Sequence, residues 1–147
     1  MQSVRIIFIP DCRMVASCIG MFGMPEFDGF MDWMSKQKSP QTEIYPRDFL
    51  SGDSKGLRWY YLYHDGMDTE NFDVVDFKGG LYAVTTGIDQ RTNMDEMKHK
   101  RDEFLNLHRL VHDGSRPELG NIISSKEAVE VMGYEQMDYY YPVKKAE

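Results

Sequence analysis

The fold of this chain follows from residues 75–86, VDFKGGLYAVTT, because residues 7–18, IFIPDCRMVASC, repeat the same pattern. Aligned position by position, apolar residues coincide at five positions of the two stretches, and Pro10-Asp11 falls opposite Lys78-Gly79. The five matched pairs are Ile7 with Val75, Ile9 with Phe77, Met14 with Tyr82, Val15 with Ala83 and Ala16 with Val84. Each stretch has two runs of apolar, strand-forming residues separated by a turn signal, which predicts two strands with a short break between them. The sequence therefore predicts an internal duplication.

Each copy continues with an amphipathic helix and then two strands. Apolar residues at helical spacing predict one helix that begins at Pro25 and ends near Lys36 to Lys38, and a second from Asn93 to about His112. The last strand of each copy is aromatic, Trp59–Tyr63 in the first and Asp138–Tyr141 in the second. We therefore expect an α+β fold in which a strand–helix–strand–strand unit occurs twice. The predicted repeats span about residues 1–66 and 67–147.

Two further segments lie between these elements. Residues 43–50 predict a strand that is broken at Pro46. Residues 125–132 predict a short helix, with Ser125 as its N-cap and Gly133 as its end, because serine favours the first position and glycine the position after the last turn.

Composition and charge limit the class of protein. The chain has 147 residues, of which 41% are hydrophobic and 28% charged, as expected for one folded domain and not for a disordered segment. A net charge of −7 argues against direct nucleic-acid binding, which needs basic groups that neutralise phosphates. The sequence shows neither a signal-peptide pattern nor an apolar run of the roughly 18 residues that a membrane span requires. We expect a cytoplasmic domain without a membrane partner.

The two cysteines are predicted to be unpaired. Cys12 and Cys18 are six residues apart in a predicted strand, which places their Cα atoms about 20 Å apart at roughly 3.3 Å per residue. A disulfide requires Cα atoms within about 7 Å of each other. Free thiols agree with a reducing compartment.

The sequence provides no catalytic or metal-binding motif. His108 and His112 are four residues apart on the predicted second helix, but no third ligand accompanies them. Nucleophile-elbow, phosphate-loop and dinucleotide-binding motifs are absent from the sequence. We therefore predict no catalytic residue, no metal and no cofactor.

Three motifs, in this order, resemble those of a known family. They are VRIIFIP at residues 4–10 with MVA at 14–16, FKGGLYAV at 77–84, and GYEQMDYYYPV at 133–143. The chain resembles, over nearly its whole length, the GyrI-like small-molecule-binding domain, the effector-binding domain of bacterial AraC- and MerR-type transcription regulators. The resemblance implies a pseudo-twofold pair of modules that form one curved antiparallel sheet with two main helices. It also implies a cleft between the repeats that binds lipophilic, often cationic compounds.

Aromatic faces suit such ligands because a cation over a ring gains about 0.5–2 kcal/mol. The candidate aromatic walls are Trp33, Trp59, Tyr61, Tyr82 and Tyr140.

The polar anchor has two candidates. The resemblance implies an acid on the strand between the second helix and the last strand, here residues 117–123, where Glu118 is the only acid. Counting back from Pro142 places Asn121 at the same position, which would favour a neutral or hydrogen-bonding ligand. Strand alternation predicts that Glu118 and Asn121 lie on opposite faces, so that one of them faces the ligand.

The expected function is a stand-alone binding domain that senses or sequesters a small amphipathic organic compound, as a monomer or weak homodimer. The resemblance gives the stand-alone form, because the domain accounts for all 147 residues. Two alternatives remain open. One is a hydrolase of reactive, cyclopropane-type molecules, in which Glu118 activates water and Tyr61 or Tyr140 polarises the substrate. The other is an acidic protein-interaction module such as a gyrase-modulating protein.

Overall fold

The computed structural model describes residues 3–147, and nine strands and four helices are formed within them. The strands are β1 (Val4–Ile9), β2 (Cys12–Ala16), β3 (Asp48–Asp53), β4 (Gly56–Leu62), β5 (Asp73–Phe77), β6 (Gly80–Ile88), β7 (Leu110–His112), β8 (Leu119–Ile122) and β9 (Gln136–Lys145). The helices are α1 (Pro25–Ser35), α2 (Pro40–Ile44), α3 (Met94–Leu107) and α4 (Lys126–Met132). All the strand pairs described below are antiparallel, and the predicted α+β class is confirmed.

The chain forms two compact units. Unit 1 combines the residues up to Pro10 with Gly79–Glu147, and unit 2 is Asp11–Lys78. The chain thus changes unit at the two turns that the predicted duplication aligns. The first strand of each predicted repeat pairs with the second strand of the other, β1 with β6 and β5 with β2. The repeat boundary at residues 66 and 67 stays a prediction.

In unit 1 the strands are ordered β1-β6-β9-β8, and β7 pairs with the end of β9. One face of this sheet packs on α3. Its core consists of Val4, Ala83, Leu105 and Val143, with Phe104, Leu110 and Tyr141 packed against them. This is the helix predicted from the apolar spacing in the second repeat.

In unit 2 the strands are ordered β3-β4-β2-β5. The helix α1 packs on one face, where Phe30 and Trp33 meet Val15 and Tyr61. Trp33 lies at the centre of this cluster and its exposed fraction is 1%, although the apolar spacing places it at the flank of the helix. The indole Nε1 of Trp33 donates to the carbonyl oxygen of Asp68 at 2.9 Å.

The predicted strand at residues 43–50 is wrong in its first half. Ser39 begins α2 instead, because its hydroxyl accepts from the Thr42 amide while the Thr42 hydroxyl accepts from the Ser39 amide. Pro40 then occupies the first turn, where its missing N–H is no loss. This capping box holds a five-residue helix, and the strand begins only at Asp48. The short helix α4, with its Ser125 cap and Gly133 in the left-handed region, is confirmed.

The second main helix ends five residues earlier than predicted. Arg109 has a positive φ of 55°, and residues 110–112 leave the helix to pair with the end of β9. His108 and His112 are therefore not on one helix. The ring of His112 stacks on Tyr141, with 4.5 Å between the ring centroids.

The two thiols are free, as predicted. Cys12 is half-buried within β2, whereas Cys18 is exposed beyond the end of that strand.

Gly79 offers a test of the strand arrangement. A Cβ on Gly79 would overlap the carbonyl oxygen of Ile9 and the backbone of Pro10, which cannot move aside as a side chain could. We expect Gly79→Ala to destabilise the protein by about 2–4 kcal/mol in denaturant unfolding. Gly29, inside α1, has no atom within 4 Å of such a Cβ, so Gly29→Ala should stabilise by about 0.5–1 kcal/mol. Equal stability of Gly79→Ala and the parent chain would contradict this close approach.

Candidate functional site

The face of the unit 1 sheet opposite α3 combines aromatic and polar side chains. In the β6–β9 pairing Val84 lies opposite Tyr140 and Thr86 opposite Asp138, and in the β8–β9 pairing Asn121 also lies opposite Asp138. Alternate residues of a strand share a face, so these positions share one face, and α3 packs on the other. We call this surface the polar aromatic face; it consists of Arg5, Tyr82, Thr86, Asn121, Asp138 and Tyr140.

Two tyrosines supply its rings. Tyr82 is fully buried and Tyr140 has an exposed fraction of 9%. Their ring centroids are 6.3 Å apart at an interplanar angle of 81°, an edge-to-face contact. The Arg116 guanidinium lies 4.7 Å from the centroid of the Tyr82 ring, and its Nη2 donates to the carbonyl oxygens of Leu81 and Val143 at 2.8 Å. The position of Tyr82 is therefore tightly constrained.

Asp138 is a buried carboxylate on this face. Its side chain is 7% exposed, and it forms an ion pair of 2.9 Å with Arg5, whose side chain is 56% exposed. The Thr86 hydroxyl donates to the other carboxylate oxygen at 2.6 Å. Sequence reasoning missed Asp138 because it treated the last strand only as an aromatic run. The available signal was its parity with Tyr140, which places an acid on the buried face of a strand.

The two predicted anchors lie in different surroundings. Asn121 has an exposed fraction of 3% and belongs to the polar aromatic face, whereas Glu118 precedes β8 and is exposed. Burial raises the pKa of the Tyr141 phenol, and the Asp102 and Glu118 carboxylates act in the same direction. Glu118 is thus near Tyr141, which packs on the α3 side. Which of the two residues anchors a ligand stays a prediction.

The remaining predicted residues lie together in unit 2. Trp33 and Tyr61 contact edge to face at 5.5 Å between ring centroids, and Trp59 packs against the same cluster. Trp59 also stacks on Phe27 at 6.3 Å. Trp33, Trp59 and Tyr61 therefore contribute to the core beneath α1, and their role as ligand contacts stays a prediction.

A half-buried carboxylate lies in unit 2. Asp48 is directly opposite Tyr61 in the β3–β4 pairing. Burial raises the pKa of Asp48 above the usual 3.8, because a carboxylate in a poorly solvated position favours its neutral form. Burial also raises the pKa of Tyr61, and the charge of Asp48 adds to that effect.

In the part of the chain that the structure describes, residues 3–147, no three His, Cys, Asp or Glu side chains cluster so that they could hold a metal ion. Nor does it contain a helix of the length and apolar character needed to cross a membrane.

Comparison by sequence yields no relative: no family model matches the chain, and no curated protein matches it. Comparison by structure yields several solved proteins with the same fold. A hydrolase from Listeria innocua aligns with a TM-score of 0.63 and 14% identity, over 97% of this chain and 92% of that chain. An uncharacterized conserved protein from Listeria innocua aligns with a TM-score of 0.65 and 13% identity, over 97% and 93%. The C-terminal domain of EcmrR aligns with a TM-score of 0.57 and 10% identity, over 97% and 98%.

Asp48 should make stability depend on pH. The pKa of Asp48 is higher in the folded than in the unfolded state. The contribution of the Asp48 carboxyl to the free energy of unfolding is therefore fully present below the unfolded pKa of 3.8, and it is lost as the pH rises through the folded pKa. We expect Asp48→Asn to resist urea better than the parent chain at pH 7 and to lose this advantage toward pH 3. Asp76→Asn makes the same charge change at an exposed strand position and is the control. A pH-independent difference for Asp48→Asn would contradict the assignment.

Proposed function

We propose that this chain binds a small aromatic organic cation on the polar aromatic face of unit 1 and senses or sequesters it unchanged. The observation that carries the proposal is a buried carboxylate, Asp138, on the same sheet face as the rings of Tyr82 and Tyr140. The GyrI-like domains that the sequence resembles are expected to bind ligands of this class. The proposed function is accordingly that of an effector-binding domain that does not convert its ligand.

The chemistry of this face fits a flat cation. Tyr140, which has an exposed fraction of 9%, offers the ring that a cation reaches, and the buried Tyr82 ring supports it edge to face. The cation–π contact contributes about 0.5–2 kcal/mol, depending on desolvation. A buried carboxylate attracts a cation more strongly than an exposed one, because less water screens the pair. Asn121 adds an amide that can donate or accept a hydrogen bond. Apolar contact adds roughly 25 cal/mol per Å² of ligand surface removed from water.

Burial favours Asp138 and Asn121 over Glu118 as anchors. Glu118 is exposed, so its charge is screened and remains hydrated. The same exposure weakens the hydrolase alternative, because a hydrolytic site keeps bulk water away from its reacting groups and Glu118 is open to solvent. We therefore propose binding without turnover.

A matched pair of dyes tests the proposal. Nile blue is a flat aromatic cation, and Nile red is its uncharged oxo analogue. We expect fluorescence titrations to show saturable, micromolar binding of Nile blue to the parent chain. Asp138→Asn should weaken Nile blue binding about tenfold or more while changing Nile red binding less than about twofold, because only the charged dye loses its counterion. Asn121→Ala should weaken the binding of both dyes.

The control is Glu118→Gln, which makes the same change of charge at an exposed position and should leave both affinities unchanged. Circular dichroism verifies that each variant is folded. If Glu118→Gln weakens Nile blue binding as much as Asp138→Asn does, the anchor is Glu118 and this site is wrong. If neither dye saturates, the binding function itself is refuted. Mass spectrometry of the recovered dye should give the mass of the unchanged compound, and the mass of a hydrolysis product would favour the hydrolase.

A further inference from the structure

The Asp138 carboxylate, which we propose attracts the ligand cation, already forms an ion pair with a cationic side chain. Arg5 on β1 donates from Nη2 to Asp138 Oδ2 at 2.9 Å. Any organic cation that approaches Asp138 must therefore share the carboxylate with Arg5 or displace it. The two partners differ in their surroundings: the side chain of Asp138 is 7% exposed, and that of Arg5 is 56% exposed.

We propose that Arg5 is a built-in competitor for the ligand, which occupies Asp138 when the site is empty and moves into solvent when a cation binds. This inference rests on the proposed function and adds a mechanism of selection to it. A ligand must provide a positive charge to take the place of the guanidinium. Neutral aromatic compounds leave the Arg5–Asp138 pair intact and gain only the ring contacts.

The geometry allows Arg5 to leave at small cost. Arg5 lies on β1, at the edge of the unit 1 sheet, and more than half of its side chain is already hydrated. Its guanidinium also donates a long hydrogen bond of 3.4 Å to the Thr86 hydroxyl. A solvated guanidinium has its charge satisfied by water, so the free energy lost by Arg5 is small compared with that of an unpaired Asp138.

The two oxygens of the Asp138 carboxylate have different hydrogen-bond donors, which allows Arg5 to be replaced. The Thr86 hydroxyl donates to Oδ1 at 2.6 Å and the Arg5 guanidinium to Oδ2, so the two donors use different oxygens. When Arg5 leaves, the bond from Thr86 keeps the carboxylate in place, and Oδ2 is released for the incoming cation. The exchange thus replaces one charge pair by another.

Removing Arg5 should therefore tighten cation binding. We expect Arg5→Gln to lower the Kd for Nile blue about tenfold or more, because competition and repulsion from the guanidinium both disappear. The Kd for Nile red should change less than about twofold. The matched control is Arg13→Gln: Arg13 has a similar exposed fraction, 54%, but pairs with the exposed Asp65. It makes the same change of net charge and should leave both Kd values unchanged.

A double variant isolates the pair. In the Asp138→Asn background, Arg5→Gln should tighten Nile blue binding less than about twofold, because the carboxylate for which Arg5 competes is gone and only the repulsion from the guanidinium is removed. A second measurement uses the parent chain and so does not depend on the folding of Arg5→Gln. In the NMR spectrum of ¹⁵N-arginine-labelled protein, saturation with Nile blue should move the Arg5 side-chain signals to those of a solvated arginine, and Nile red should not.

The outcomes separate this inference from the proposed function. If the parent chain binds Nile blue but Arg5→Gln binds it no more tightly, or if the Arg5 signals do not move, the competitor role is refuted and the binding function stands. If neither the parent chain nor Arg5→Gln binds Nile blue, the proposed function fails and the inference falls with it. Binding by Arg5→Gln alone would support the competitor role and contradict the proposed binding by the parent chain.

Discussion

The close approach of two backbones at Gly79 is the constraint on which the rest of unit 1 depends. Gly79 passes the Ile9 carbonyl and Pro10 with no space for a side chain. This contact brings the turn after β1 beside the turn before β6, and the pairing then runs from Ile9↔Gly80 to Val4↔Thr85. Residues of β1, in the first predicted repeat, thereby become neighbours of residues of β6, in the second, although more than 70 positions separate them in the sequence.

The polar aromatic face is a consequence of that register. Arg5 on β1 lies opposite Val84 of β6, and Asp138 on β9 lies opposite Thr86 of β6. Val84 and Thr86 are two residues apart, so that Arg5 and Asp138 are on the same face of the sheet. A shift of one residue in either pairing would move the arginine or the aspartate to the α3 side, because side chains alternate between faces. The ion pair between an exposed base and a buried acid is thus fixed by strand pairing and not by a local motif.

Much of the fold could be predicted from the sequence, because strand patterns, helix spacing and turn signals are local. Ser125 and Gly133 marked α4 correctly, whereas α2 was missed because the Ser39–Thr42 capping box outweighed an extended pattern. The site was less accessible. Sequence placed Tyr82, Asn121 and Tyr140 among the candidates, and the structure brings them to one face. The contact between Arg5 and Asp138 could not be predicted from the sequence, because the two residues are 133 positions apart and meet only through the register of the strand pairing.

Both tryptophans of the chain, Trp33 and Trp59, lie in unit 2, whereas the aromatic rings of the polar aromatic face are tyrosines. The two units therefore carry different spectroscopic labels. Tryptophan emission follows the packing beneath α1, and the β-sheet signal in circular dichroism follows both units. Coincident unfolding curves from the two probes would mean that the chain, which changes unit at residues 10 and 79, folds as one cooperative body. Separate curves would mean that each unit melts by itself.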